Sequence, residues 1–498
     1  MEAKTMKKSP FLLILFIILV VGTAIRLFDL ADAPLDFHPT RQLHSALMAR
    51  GMFYQLQGVD SWQAQRAIEQ WKLEGLIEPP IMEWLSAFGY KLIGEVDLQI
   101  PRLIAITFWI LAGITLLSRA VRLTNRKAAL VGLAFFLCYP YGVIASRSFQ
   151  PESLLVLFLG LFMMALLAWD KQRDWRWAIL VGLFAGLAIW IKTVAAFFVA
   201  GMWLAWLLSE DHWRTFYKEG KLWVAFLLTV LPYTLYLLYG LFIDKGYQGQ
   251  FSLRFFPGLW TDVAFYLRWL SNLRRVVGIE WLIMGLLGCF LVEHKTQRNI
   301  LIGAWVGYVI LGFTLPHHIS THDYYHLPLL LFVAVGVSNL AALLFTWLSA
   351  RKPFVRVVSV ILLVVLFTVF LMDVRSEMKK VNYSDEIAFW EMMGARFDPD
   401  DKVIALSQDY GNRLAYWGWI TLRNWPSLDD IALRQEAGQE LSLTDYFQDY
   451  TQGYDYFLVT DMTEFARQPQ VADWLQANFE LIAADDAYLL YDLRVEKE

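Results

Sequence analysis

The chain has 498 residues, 57% of them hydrophobic and only 18% charged. This is too apolar for one water-soluble domain, and it fits a polytopic membrane protein carrying some soluble mass. A net charge of -4 gives no footing for a nucleic-acid partner. The two cysteines, Cys138 and Cys289, lie in apolar runs and read as small buried hydrophobes, not a disulfide scaffold.

A membrane-spanning helix needs about 20 mostly apolar residues. In chain order the candidates are 9–27, 98–118, 128–146, 152–169, 176–191, 193–208, 221–243, 276–293, 299–315, 327–347 and 355–373, eleven in all. The first reads as a retained helix, because no small-residue cleavage site follows it. The fifth and sixth are short and divided only by Lys192. Charge bias supports the count. With the N-terminus cytoplasmic, the inner loops read "RAVRLTNRK", "DKQRDWR", "EDHWRTFYKEGK", "EHKTQRN" and "RKPFVR", all rich in Lys and Arg. Outer loops such as "SRSFQPES" and "PHHISTHDYYH" carry little of either. The pattern keeps phase along the chain, as the positive-inside rule requires. Losing one span would break it.

Three outer segments are large. Residues 28–97 hold "SALMARGMFYQLQG" and "WQAQRAIEQW", both able to form amphipathic helices on the membrane. Residues 244–275 hold "WTDVAFYLRWLSNLRR", with Trp, Tyr and Arg at helical spacing. From residue 380 the composition changes to a charged segment with no possible span. Its "DKVIALSQDYG", "YDYFLVTDM" and "AYLLYDL" read as strands, and its "SDEIAFWEMMGARF" and "QVADWLQANFE" as helices. The expected fold is thus an all-α polytopic membrane domain over 1–379 with a small α/β domain over 380–498, placed outside by parity.

Several charged residues stand where chemistry at a membrane surface would need them. Asp36 follows the first span between Pro34 and Pro39, with His38, Arg41, His44 and Arg50 within a few turns. Pro39 disfavours helix at His38 and suits the first turn of a helix resuming near Thr40. Asp36 is either a solvated loop carboxylate or a base held at fixed height. In "EGLIEPPIMEWLSAFGYKLIGE", Glu78 precedes two prolines, and Glu83 sits among apolar neighbours, which suits a helix only if its face meets a polar cavity. Arg102 opens the second span, where it either snorkels or holds a phosphate. Lys192 is one charge in apolar sequence, open to the same two readings. "LPHHISTHDYYHLPL" gathers His317, His318, His322, Asp323, Tyr324, Tyr325 and His326. Such a set can bind zinc, bind phosphate, or cap two spans. The metal-ligand candidates are Asp36, His38, His318 and His322, so a divalent metal is an option, and the sequence identifies no specific cofactor.

These stretches, taken together, resemble the lipid-dependent membrane glycosyltransferases of GT-C type, which include the protein O-mannosyltransferases and the lipid A aminoarabinose transferases. "PLDFHPTRQLHSALMARGM" stands where that family has an acidic pair after its first helix. Asp36 matches the first carboxylate, and Phe37 stands in place of the second. "EPPIMEWLSAFGYKLIGEVDLQIPRL", "GLAIWIK" and "HDYYHLPL" match later motifs in the family's order, over about 330 residues. The resemblance implies sugar transfer from a polyprenyl-phosphate donor to a protein, lipid or glycan hydroxyl at the extracytoplasmic face of the cell membrane, with inversion at the sugar carbon. It implies Asp36 as the base and Lys192, Arg102 and Arg147 as phosphate ligands. His38, Arg41, His44, Glu78, Glu83, His317, His318, His322, Asp323, Tyr324 and Tyr325 would line the cavity. A multi-span transporter or flippase of a lipid-linked substrate is the alternative, though charges inside the spans are few and no matched broken helices appear in two halves.

Overall fold

The computed structural model describes residues 8–75, 77–214, 216–243, 255–436, 447 and 450–496. Residues 244–254 of the second outer segment and parts of the tail lie outside these. In chain order the helices are α1 (Lys8–Leu27), α2 (Pro39–Gln57), α3 (Trp62–Leu73), α4 (Ile81–Ile93), α5 (Gln99–Leu123), α6 (Arg126–Cys138), α7 (Pro140–Ala145), α8 (Glu152–Gln172), α9 (Trp175–Ile191), α10 (Ala195–Leu208), α11 (Gly220–Leu238), α12 (Val263–Val276), α13 (Ile279–Phe290), α14 (Lys295–Thr314), α15 (Pro316–Thr321), α16 (Leu329–Ser349) and α17 (Pro353–Met378). Each of the eleven apolar segments carries a helix. Among the described residues, six helices are long and apolar enough to cross a membrane, and α9, α10 and α13 are shorter apolar helices.

The chain divides into two compact units. The first comprises Met1–Leu30, Leu76–Ile81 and Arg102–Lys380. Its helices are broken where sequence demands it. Pro140 has no N–H to continue the ladder of α6, so the helix stops at Cys138 and α7 restarts at Pro140. Arg26, fully buried near the end of α1, takes up the carbonyl of Leu137 at 2.7 Å and that of Gly22 at 2.6 Å, and donates to Ser146 Oγ at 2.6 Å. A buried cation at a helix break is tolerable because its donors meet oxygen acceptors there, among them the Leu137 carbonyl at the end of α6. Elsewhere the helices approach closely through small residues. A Cβ on Gly201 would lie 2.1 Å from the Gly303 carbonyl oxygen, so α10 and α14 meet backbone to backbone.

The second unit comprises Ala31–Gly75, Met82–Pro101 and Val381–Glu498. It joins most of the first outer segment to the tail. The tail adds α18 (Ser384–Gly394), α19 (Asn412–Trp417), α20 (Leu428–Glu436), α21 (Met462–Arg467) and α22 (Pro469–Asn478). Its five strands are β1 (Val403–Leu406), β2 (Leu422–Asn424), β3 (Tyr456–Val459), β4 (Phe479–Asp485) and β5 (Tyr488–Glu496), in the sheet order β2-β1-β3-β5-β4. β1 pairs parallel with β2 and β3, while β5 runs antiparallel to β3 and β4. The three strands read from sequence are β1, β3 and β5. The three-residue β2 and the largely exposed β4 carry no clear strand pattern in the sequence. The helix expected to run through Glu480 ends at Asn478, where β4 begins.

α2 was expected to be amphipathic, yet Ser45–Phe53 is buried all round. It packs against α3 and α19, so its small and apolar residues face protein on every side.

Candidate functional site

In the first unit the chemistry gathers around Lys192. α9 ends at Ile191, and Lys192 turns to extended backbone (φ -156°, ψ 124°) before α10 begins at Ala195. The break presents the ammonium to two carboxylates. It bonds Glu152, in the first turn of α8, and Glu78 Oε1 at 3.2 Å. Lys192 and Glu152 are each only 3% exposed, whereas Glu78 is 18% exposed. The ammonium also lies 4.6 Å from the ring centre of Tyr324 and 5.3 Å from that of Tyr325. The lysine, the "EPP" glutamate and the "HDYYH" tyrosines thus form one cluster.

The rest of that loop closes around it. Asp323 is buried and paired with Arg275 at 3.3 Å. His318 stacks on His322 at 5.5 Å and lies 5.7 Å from both Tyr325 and His317. His326 stands apart in the core, held by the Tyr308 hydroxyl at 2.6 Å and the Ile319 carbonyl at 3.0 Å. Gln150 is buried, and neither of its side-chain polar atoms has a hydrogen-bond partner among the described residues. The same holds for Glu152 Oε2. Buried polar atoms without partners are costly, and a bound polar ligand or water is a common reason for them.

Arg102 and Arg147 are also buried, and both donate to main-chain carbonyls. Arg102 donates to the carbonyls of Leu30 at 2.9 Å and Arg147 at 3.3 Å. Arg147 donates to the Phe28 carbonyl at 2.6 Å, to the Asp29 carbonyl at 2.5 Å and to Met378 Sδ at 3.0 Å. Both fasten the exit of α1.

In the second unit, Asp36 occupies an exposed turn ahead of α2. His38 precedes Pro39 in the left-handed region (φ 46°), a conformation few side chains adopt. Pro39 is the first helical residue, as read from the sequence. Gln42, fully buried, donates to the carbonyls of Phe37 at 2.7 Å and Pro34 at 3.2 Å, and so staples the turn on either side of Asp36. Arg41 lies half-buried on the first turn of α2. His44 Nδ1 meets Glu74 at 2.5 Å, and buried Glu83 accepts from Ser45 Oγ at 2.6 Å. The carboxylate that looked misplaced on an apolar face therefore has a hydroxyl partner.

Sequence reasoning missed Glu152 and Gln42. Glu152 had a signal, since it opens an otherwise apolar run and acids in such runs are rarely idle. Gln42 had none, because its role depends on how the turn folds back. Among the described residues no group of three or more His, Cys, Asp or Glu side chains is placed to hold a metal ion. The metal reading of Asp36, His38, His318 and His322 therefore gains no support from the fold.

Comparison with solved structures supplies the architecture's name. The chain superposes on ArnT from Cupriavidus metallidurans bound to undecaprenyl phosphate with a TM-score of 0.62, covering 98% of both chains at 14% identity. It has the ArnT fold. An oligosaccharyltransferase of Archaeoglobus fulgidus, solved with zinc and sulfate, matches with a TM-score of 0.55 at 12% identity, over 90% of this chain and 68% of its own. The archaeal oligosaccharyltransferase AglB from the same organism, in complex with an inhibitory peptide and a dolichol-phosphate, matches at 0.54 and 11% identity, over 97% and 74%. Residues 77–239 match the family model described as dolichyl-phosphate-mannose-protein mannosyltransferase. No curated protein sequence matches the chain. The ArnT fold and the apolar helices together make this a multi-pass membrane protein.

Proposed function

We propose that the chain is a membrane glycosyltransferase that moves a sugar from a polyprenyl-phosphate carrier to a hydroxyl acceptor at the extracytoplasmic face. The observation that carries this reading is the ArnT fold over 98% of the chain, with Lys192, Glu78 and the 324–325 tyrosines clustered within it. The isoprenoid of such a carrier stays in lipid while its phosphate reaches the interface, which is why the chemistry needs a membrane domain. In the reaction, Asp36 takes the proton of the acceptor hydroxyl. The acceptor oxygen attacks the anomeric carbon as the bond from that carbon to the phosphate oxygen breaks, and polyprenyl phosphate leaves with the electron pair. One base and direct displacement invert the anomeric carbon. Lys192 offsets charge on the leaving phosphate, and its tie to Glu152 keeps the ammonium in place. Gln150 and the free oxygen of Glu152 suit sugar hydroxyls. The histidines 317, 318 and 322 with Asp323 line the donor head.

The membrane orientation belongs to the same proposal, with the N-terminus cytoplasmic and the tail outside. A transporter would share the spans but would move its substrate intact. Proteoliposomes loaded with a panel of polyprenyl-phosphate sugars separate the two. Transfer yields free polyprenyl phosphate and a glycosylated acceptor of opposite anomeric configuration. Intact lipid-linked sugar appearing in the opposite leaflet, with no cleavage, would support the transporter instead.

A further inference from the structure

We propose that the C-terminal domain, residues 381–498, is a positioning device for the Asp36 turn, pinning it from both sides. The inference rests on the reading of Asp36 as the base. The turn runs from Asp32 to Thr40. At its start, Asp32 Oδ1 accepts from the main-chain N–H of Tyr383 at 3.0 Å, as well as from Ala33 N–H at 2.9 Å. At its end, Thr40 Oγ1 donates to Asp409 Oδ1 at 2.8 Å, and Asn412 Nδ2 donates to the Thr40 carbonyl at 3.3 Å. Asp36 lies four residues from each anchor. Burial, then the carboxylates of Asp36 and Asp32, raise the Tyr383 hydroxyl above its ordinary range, so that ring sits in their field.

The anchor at Asp409 is itself built at a cost. Asp409 (φ 52°), Tyr410 (φ 58°) and Gly411 (φ 79°) are three successive left-handed residues, two of them not glycine. For the two that are not glycine this conformation is strained, and it persists only where its surroundings hold it. Here Arg413 holds it. Its Nε donates to Asp409 Oδ2 at 2.6 Å and its Nη1 to Glu386 at 3.0 Å. With one oxygen on Arg413, Asp409 offers the other to Thr40. Gln42, on α2, completes the clamp through the carbonyls of Pro34 and Phe37. A base must stay within hydrogen-bond reach of the acceptor hydroxyl, and an exposed turn alone would not keep it there.

The test uses the full-length protein in detergent or nanodiscs. Amide hydrogen exchange over residues 33–38 reads the pin directly. Thr40→Val and Asp409→Ala should speed that exchange by roughly tenfold or more, as expected for lost local closure. With the donor selected by the panel above, the same variants should lose kcat by roughly tenfold at unchanged KM. Their affinity for undecaprenyl phosphate should match wild type. Thr40→Ser, which keeps the hydroxyl, should restore both exchange and turnover. Arg413→Gln supplies a second route to the same loss if Asp409→Ala fails to fold. Wild-type exchange in Thr40→Val and Arg413→Gln would overturn the pin. Faster exchange with undiminished kcat would overturn its role in positioning. If no donor in the panel is used at all, the transferase reading fails while the exchange result still decides the pin.

Discussion

Lys192 is a phosphate candidate whose charge is already engaged. Two carboxylates contact its ammonium, and they differ in burial. Glu152 is as buried as the lysine, whereas Glu78 is the more exposed and the more distant partner. An incoming phosphate dianion therefore competes with Glu78 first. Neutralising that residue should help the ligand. Glu78→Gln is expected to tighten undecaprenyl phosphate binding by roughly fivefold, the size of one partly screened charge interaction. Titration calorimetry or microscale thermophoresis reads this, and weaker binding in Glu78→Gln would mean that the glutamate helps to hold the ligand. Lys192→Ala leaves two glutamates facing each other without their cation. It should lower undecaprenyl phosphate affinity at least tenfold, and wild-type affinity would remove Lys192 from the phosphate site. Sequence showed the lysine as an isolated charge and showed the "EPP" and "HDYYH" motifs, but it gave no sign that they are neighbours. Contacts between residues 78, 152, 192 and 324 depend on helix packing that local patterns do not encode.

At the level of the elements, helix breaks position most of the charged groups. Pro140 ends α6 and Pro39 starts α2, and the break at Lys192 separates α9 from α10. Pro39 was legible in the sequence, because proline acts through its own ring, whereas the break at Pro140 falls inside the stretch 128–146 that reads as one span. α2 was misjudged because burial on every side comes from its neighbours. Arg50 illustrates this. Its guanidinium lies 3.9 Å from the ring centre of Trp419 and 4.4 Å from that of Tyr416, and it donates to the carbonyls of Tyr416 at 2.5 Å and Ala415 at 3.1 Å and to Gln70 Oε1 at 2.7 Å. Burial lowers its pKa to about 10, with the nearby tyrosines Tyr416, Tyr54 and Tyr90 pushing the other way, so it keeps its charge at neutral pH. Arg50→Met fills similar space but leaves those acceptors without a donor. It should destabilise the second unit by about 1–3 kcal/mol, lowering the midpoint of its thermal or denaturant transition. An unchanged midpoint would mean that water replaces the guanidinium.

On the scale of the whole molecule, the apolar runs gave the helices at once, since a membrane span carries its own signature in length and hydropathy. The tail's sheet was partly legible. β1, β3 and β5 contain buried apolar stretches, whereas the exposed β4 and the three-residue β2 give little pattern to read. What sequence did not reveal is that the first outer segment and the tail share one compact unit, because residues such as Thr40 and Asp409 lie 369 positions apart. The proposed orientation makes a direct prediction. Side-reporting fusions at residues 122, 212 and 400 should read inside, inside and outside. A cytoplasmic signal at 400 would put the tail on the wrong side for an extracytoplasmic acceptor.

The central claim is that Asp36 removes the acceptor proton in a glycosyl transfer. Asp36→Asn keeps size and shape but cannot serve as a base at neutral pH. The decisive measurement is the release of polyprenyl phosphate by purified wild type and Asp36→Asn, with the donor selected by the panel and its acceptor. The account predicts unchanged melting and unchanged donor affinity, with turnover lower by roughly 100-fold or more. Near-wild-type turnover in a folded Asp36→Asn protein would contradict it and move the base to another carboxylate.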